Sequence, residues 1–468
     1  MNTGLSLGVV EQEAVTISIS PGDLSGASGY HHPYAGVRAQ TMTISQSDPK
    51  GTIAELPSGT GTVNCAAGIC PITFASKENP CNGAWNLCTA NIQYNVTVKA
   101  PAESGLAANK QEIDASATGT LSLHIRPVPK ATGLALKAIE GKALSVTLAR
   151  NNGYTYDLPV DAHAVVVGQL SRGTLLNNTF TCAGATCSAQ FIPEPNYSGP
   201  ASIEYHVVVY DEVLKRDVTS APNTISIDIR PIPKATGLSG GNKIISVQGQ
   251  SREFAIRPGS LAQGLGYSHA ENIRAKSINT TSSKVASLAG VTDVGTLLTR
   301  GSGQRFDCDS SGTGACTGTF QPALVSGDWL GYGEGRFNYS VTVFDPIFGG
   351  DIESETATAF VDVRPLPQAI GSHSETKGLP ELLVVENSPR TFALELNRGY
   401  THPYNSKATS MLIGGSENGT AVAKACDVNG RCEFTFTPAQ NYSGTSANFT
   451  YRVQVADPLV NFEPYNGT

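Results

Sequence analysis

The residues best equipped for chemistry in this chain are histidines, tyrosines, tryptophans, cysteines and a few close acids. The run SGYHHPYAG at 28–36 sets His31 and His32 between Tyr30 and Tyr34. Adjacent imidazoles suit a metal ion, and tyrosines around a proline suit an aromatic recognition loop. The chain returns to this run three times, as NGYTYDLPV at 152–160, LGYSHAENI at 265–273 and RGYTHPYNS at 398–406. The candidates are therefore Tyr30, His32, Tyr34, Tyr154, Tyr156, Tyr267, Tyr400, His402 and Tyr404. His32 and His402 share a place with Tyr156 and His269, and a metal ligand does not tolerate tyrosine in one copy. The constant part is Gly-Tyr. Either the glycine allows positive φ while the tyrosine packs under the loop, or the aromatic loop is exposed and binds glycans or a neighbouring subunit.

Ten cysteines fall in five close pairs: Cys65/Cys70, Cys81/Cys88, Cys182/Cys187, Cys308/Cys316 and Cys426/Cys432. An even number of locally paired cysteines predicts disulfides and an oxidising compartment. Zinc fits poorly, because no pair is CxxC and most have no histidine nearby. Trp85 and Trp329 lie in two insertions, SKENPCNGAWNLCTAN and ALVSGDWLGYGEGRF. Each either caps its own domain or offers a contact surface on a loop. Asp307 and Asp309 in DCDSSG resemble the opening of a calcium loop, but the downstream glutamate is missing, and a polar turn is the plainer reading.

The elements that must hold these residues read as strands. Charge is low (15%), the formal net charge is −7, and Gly and Pro recur regularly. That is the composition of short strands joined by tight turns. With no basic patch, nucleic acid is not an expected partner. No apolar run approaches a membrane span, and the opening residues do not read as a signal peptide, so a removed leader or a fragment is expected. There is no G-x-S-x-G, HExxH or P-loop, and no repeated pair of carboxylates, so an enzyme is not expected and neither is a cofactor.

Three markers repeat in constant order. One is the RPxP run, in LSLHIRPVPKATG (121–133), ISIDIRPIPKATG (225–237) and AFVDVRPLPQAIG (359–371). Another is a cysteine followed by x3-Phe, from Cys70, Cys187, Cys316 and Cys432. The third is a tyrosine followed by alternating apolar residues, from Tyr94, Tyr205, Tyr339 and Tyr451. These predict four units at 1–129, 130–233, 234–367 and 368–468. Period-two apolar alternation makes each an antiparallel β-sandwich. Proline ends the last strand, and RPxP then forms a stiff linker, so the whole reads as a semi-rigid rod.

Runs such as GTLLNN, FIPEPNYSG (191–199), FTPAQNYSG (436–444) and YHVVVYDEV resemble the cadherin-like, Ig-like tandem repeats of large bacterial surface proteins. The resemblance covers all four units and implies an all-β fold of tandem sandwiches. Repeats of that kind often bind inter-domain calcium through acidic residues of the first strand, an Asp-rich loop and the linker. Here the first strand keeps single acids, Glu11, Glu140 and Glu386, with Gln248 in the third unit, and the linker has Arg-Pro. No cofactor is therefore expected at the linkers, with calcium kept as the lesser alternative.

Unit four ends early by this pattern. Arg364 lies 19 positions after Asp345 and Arg230 lies 19 after Asp211, but only 11 residues follow Asp457. Either the sequence is a fragment, or another chain donates the strand. The expected function is an extracellular stalk or adhesin segment of a bacterial surface protein, partnered by other protein chains or copies of itself, with cell-surface glycans as a further class of ligand. The alternative is a fibre subunit assembled by strand donation, and a glycan-binding module ranks third.

Overall fold

The computed structural model describes residues 4–22, 29–32, 37–85, 88–99, 112–114, 118–259, 266–288, 293–298, 304–310, 312–324, 331–371, 382–444, 446–460 and 465–467. It is all-β, with no α-helix among the described residues. The chain divides into two compact units, Met1–Arg230 and Pro231–Thr468.

The plan is clearest in the second half of the first unit. Strand Leu134–Ile139 runs parallel to Asn223–Arg230, which pairs antiparallel with Gly199–Asp211, which in turn pairs with Ala164–Ser171. The facing sheet holds Lys130–Ala131, Gly153–Thr155, Leu144–Arg150, Thr186–Pro193 and Gly173–Leu175. The chain thus starts on one sheet and crosses to the other, where it pairs with the last strand. This is an Ig- and cadherin-like sandwich. The first half repeats it, with Leu5–Val10 parallel to Gly119–Arg126 and a facing sheet built on Ala14–Pro21 and Cys70–Ser76.

Period-two alternation decides which face turns inward. Leu121, Leu123 and Ile125 of one last strand, and Ile225, Ile227 and Ile229 of the next, are at most 1% exposed. Each such side chain stabilises its sandwich by about 1.5–3 kcal/mol.

In the second unit, strand Ile244–Val247 runs parallel to Ala357–Arg364, which pairs with Gly333–Asp345. The last sandwich differs. Strand Asn448–Val455 pairs with Ala408–Glu417 on one side, but on the other, among the described residues, it meets only Tyr465–Gly467, opposite Val453–Val455. Leu383 and Val385, at the place of the first strand, are 67% and 72% exposed.

All five cysteine pairs are disulfides. Cys182 faces Cys187, and Cys426 faces Cys432, in register across their hairpins. Each of these two bridges therefore staples a hairpin whose ladder already sets its cysteines opposite one another.

Candidate functional site

The four Gly-Tyr pairs begin with a backbone requirement. Gly29, Gly153, Gly266 and Gly399 have φ between +98° and +123°. A Cβ on Gly266 would lie 2.5 Å from Cγ2 of Ile256, and one on Gly153 would lie 2.4 Å from Cδ2 of Leu148. Glycine is needed both for the left-handed conformation and for the space.

The tyrosines that follow are buried. Tyr30, Tyr154, Tyr267 and Tyr400 are at most 3% exposed. The Tyr30 hydroxyl donates to the Gly68 carbonyl at 2.7 Å and accepts the Ala39 N–H at 3.0 Å. Tyr267 does the same with Gly314 (2.7 Å) and Ala275 (3.0 Å), and Tyr400 with Gly430 (3.1 Å) and Ala408 (2.9 Å). Tyr154 accepts the Ala162 N–H at 3.0 Å. Gly68, Gly314 and Gly430 lie inside the cysteine-closed hairpins, so each ring bolts its loop to a disulfide turn.

A second tyrosine holds each loop from the other side. The hydroxyls of Tyr94, Tyr339 and Tyr451 donate to the carbonyls of Gly29 (2.6 Å), Gly266 (2.5 Å) and Gly399 (2.6 Å). Tyr205 donates to Gly153 and, at 2.6 Å, to Thr132. Burial pushes the hydroxyls of Tyr94, Tyr205 and Tyr339 up to about 12.

The recognition reading of these first rings therefore gives way to a structural one, since an enclosed ring offers no face to a ligand. The same holds for Trp85, which is 3% exposed beside the Cys81–Cys88 bridge. Tyr34 and Trp329 lie outside the described residues. His32 is half-buried. Asp309 accepts the N–H groups of Gly312 (2.7 Å) and Thr313 (2.9 Å), and Asp307 pairs with Arg305 at 3.2 Å, which makes DCDSSG a capped turn.

The remaining candidates meet at joints between sandwiches, around residues that served in the sequence only as landmarks of spacing and linker. In the first unit, Arg126 of the RPxP run donates from Nε to Oδ2 of Asp211 at 2.7 Å. Asp211 closes the strand Gly199–Asp211 in the next sandwich and is 2% exposed. Its Oδ1 accepts the N–H groups of Val213 (2.9 Å) and Leu214 (3.0 Å). The Tyr156 hydroxyl reaches Oδ2 of Asp211 at 3.5 Å. Burial, then the Asp211 charge, pushes that hydroxyl up to about 12.

The second unit repeats the arrangement with more partners. Arg364 donates to Oδ2 of Asp457 from Nε at 2.8 Å and Nη2 at 2.7 Å, and from Nη1 to Asp362 at 3.2 Å. Its guanidinium lies 4.4 Å from the ring centre of Tyr404. Tyr332 meets the Tyr404 ring edge-on at 6.0 Å. His402, 3% exposed, accepts the Ser406 N–H at Nδ1 and so donates from Nε2 to the Pro365 carbonyl, both at 3.2 Å. Burial lowers its pKa and keeps the imidazole neutral. Gln248 accepts the Leu366 N–H at 3.1 Å.

Truncating one member of a buried ion pair strands the other charge and costs about 3–5 kcal/mol. The joints are therefore sensitive to the loss of either charge. A signal was present in the sequence. Asp211, Asp345 and Asp457 each stand six positions after the strand tyrosine, in repeats preceded by an RPxP run. Ala100 takes that place in the first repeat.

No protein-family model matches the chain. No curated protein matches it either. Among solved structures, it is similar to cadherin domains 1–4 of protocadherin gamma B7 (7% identity, 92% of this chain and 90% of that one, TM-score 0.24). Drosophila N-cadherin domains 1–4 match at 10% identity over 99% and 97%, with a TM-score of 0.22. An endo-fucoidan hydrolase of glycoside hydrolase family 107 matches at 14% identity and a TM-score of 0.20, over 77% of this chain. That match spans 43% of the hydrolase's own length.

Proposed function

We propose that the chain is a non-enzymatic, extracellular repeat segment of a bacterial surface protein, a stalk or adhesin region that spaces and presents surfaces to other protein chains. The observation that carries this reading is where the polar machinery goes. Buried charge and an aromatic ring meet at both joints, Arg126–Asp211 with Tyr156 and Arg364–Asp457 with Tyr404, and a buried histidine joins the second. A protein that invests in ordered joints resists bending between its repeats, which a spacer needs. The disulfides and capped loops suit an oxidising exterior. Negative-stain electron microscopy of the protein from its native source tests the reading. Rods continuous with the cell surface support it, and compact particles would sink it.

A second reading, a fibre subunit that accepts a strand from another copy, is favoured by the last sandwich. There, Asn448–Arg452 has a ladder partner on one side only among the described residues. In the other sandwiches a strand ending in Arg fills that edge. A peptide of sequence AFVDVRPLP should bind and raise the melting temperature. No binding, or monomers alone in the microscope, would eliminate strand donation.

A further inference from the structure

We infer that the joints at Arg126–Asp211 and Arg364–Asp457 carry their own cation, a guanidinium seated where a cadherin-like repeat would take calcium, and that their order is independent of divalent metal. The inference concerns the joints alone and holds whether the repeats form a stalk or a fibre.

A calcium ion needs six to eight oxygen ligands with free lone pairs facing one point. The oxygens of Asp211 and Asp457 are directed at protein donors instead, and of the carboxylates that touch Arg364 only Asp362 keeps an oxygen, Oδ1, that faces no donor. Oδ2 of Asp211 takes Nε of Arg126, and its Oδ1 takes two main-chain N–H groups. Oδ2 of Asp457 takes Nε and Nη2 of Arg364, and its Oδ1 takes the Leu459 N–H at 2.9 Å. The first-strand residues are engaged in the same way: Glu11 accepts the Asn79 N–H, and Gln248 accepts the linker N–H of Leu366. The donor set does not fit the ion, because every carboxylate oxygen just named except Oδ1 of Asp362 already faces an N–H group and a cationic side chain stands among them.

The replacement is also chemically specific. Arg364 uses three nitrogens, two toward Asp457 and one toward Asp362, and sets its guanidinium carbon over the Tyr404 ring. A guanidinium is planar, permanently charged and weakly hydrated, so it tolerates this burial better than an ammonium. Arginine also supplies its charge covalently from the linker, whereas calcium has to be gathered from solution. Such a joint stays ordered where calcium is scarce.

The test uses the whole chain. Melting temperature and small-angle scattering profile are compared in EGTA and in millimolar calcium chloride, and calcium binding is measured by titration calorimetry. The wild-type chain is expected to be indistinguishable in both media and to give no calcium heat. Arg126→Gln and Arg364→Gln are each expected to lower the melting temperature of the affected joint by roughly 10 °C. Because a single variant can fail to fold, the pair Arg364→Gln with Asp457→Asn is included. Removing both charges is expected to recover part of the loss. Calcium that stabilises the wild-type chain or binds at a joint would overturn the inference. So would Arg364→Gln melting like wild type, or a double variant that recovers nothing.

Discussion

The Tyr339 hydroxyl donates to the carbonyl of Gly266, 73 residues earlier, and accepts the Gly237 N–H at 3.1 Å. One phenol thus closes the loop that carries Tyr267 and anchors the start of its sandwich. Tyr339→Phe removes this partner from the buried Gly266 carbonyl and the half-buried Gly237 N–H, a cost of about 1–3 kcal/mol. Hydrogen exchange at Ala275, whose N–H is held by Tyr267 on the same loop, should accelerate accordingly.

These phenols also make an alkaline limit. The folded Tyr94, Tyr205 and Tyr339 titrate at about 12, against an ordinary value of 10.0. A raised acid is fully stabilising below its unfolded value, and that contribution is lost as pH rises through the folded one. Stability should therefore fall between pH 10 and 12, in step with tyrosinate absorbance. Phenylalanine at Tyr205 should shrink that loss.

Gly266→Ala meets strain and a clash together. The residue has φ of +123°, and its new methyl would press on Ile256. We expect a loss of about 2–4 kcal/mol, read as a lower melting transition for the second unit alone. A neutral outcome would mean that the loop slides without cost.

The disulfides should matter less than the cores. Each closes a short loop, worth about 2 kcal/mol in the chain-entropy model. Reduction should lower the melting temperature yet leave the far-ultraviolet circular dichroism that of a β protein. Collapse of the β signal would show that the bridges, not the apolar faces, carry the fold.

His402 sets an acid limit at its joint. It is neutral because it is buried, and Arg364, Asp457 and Tyr404 face the same joint. A lowered folded pKa gives stability that is present above the unfolded value of 6.5 and lost as pH falls toward the folded one. Protease cleavage at the 365–367 linker should increase below pH 6.5, and His402→Gln should flatten that dependence.

Strand positions, the two-sheet class and the cysteine partners were legible because they rest on local pattern. Alternation along Asn223–Arg230 needs only period two, and Cys182 and Cys187 are five residues apart. The Gly-Tyr run was visible as a repeat, but its role was not. Whether Tyr400 faces solvent or Gly430 depends on a hairpin 30 residues away. Trp85 was ambiguous for the same reason.

Sequence alone determined which residues alternate, where the chain turns and which motifs return in order, since these follow from neighbours along the chain. Only the tertiary structure decided that Arg126 meets Asp211 across 85 positions, that Arg364 meets Asp457 across 93, and that His402 reports to the linker before it. Buried charge pairs are settled by which groups lose water together. That depends on how consecutive sandwiches abut, which neither repeat encodes by itself.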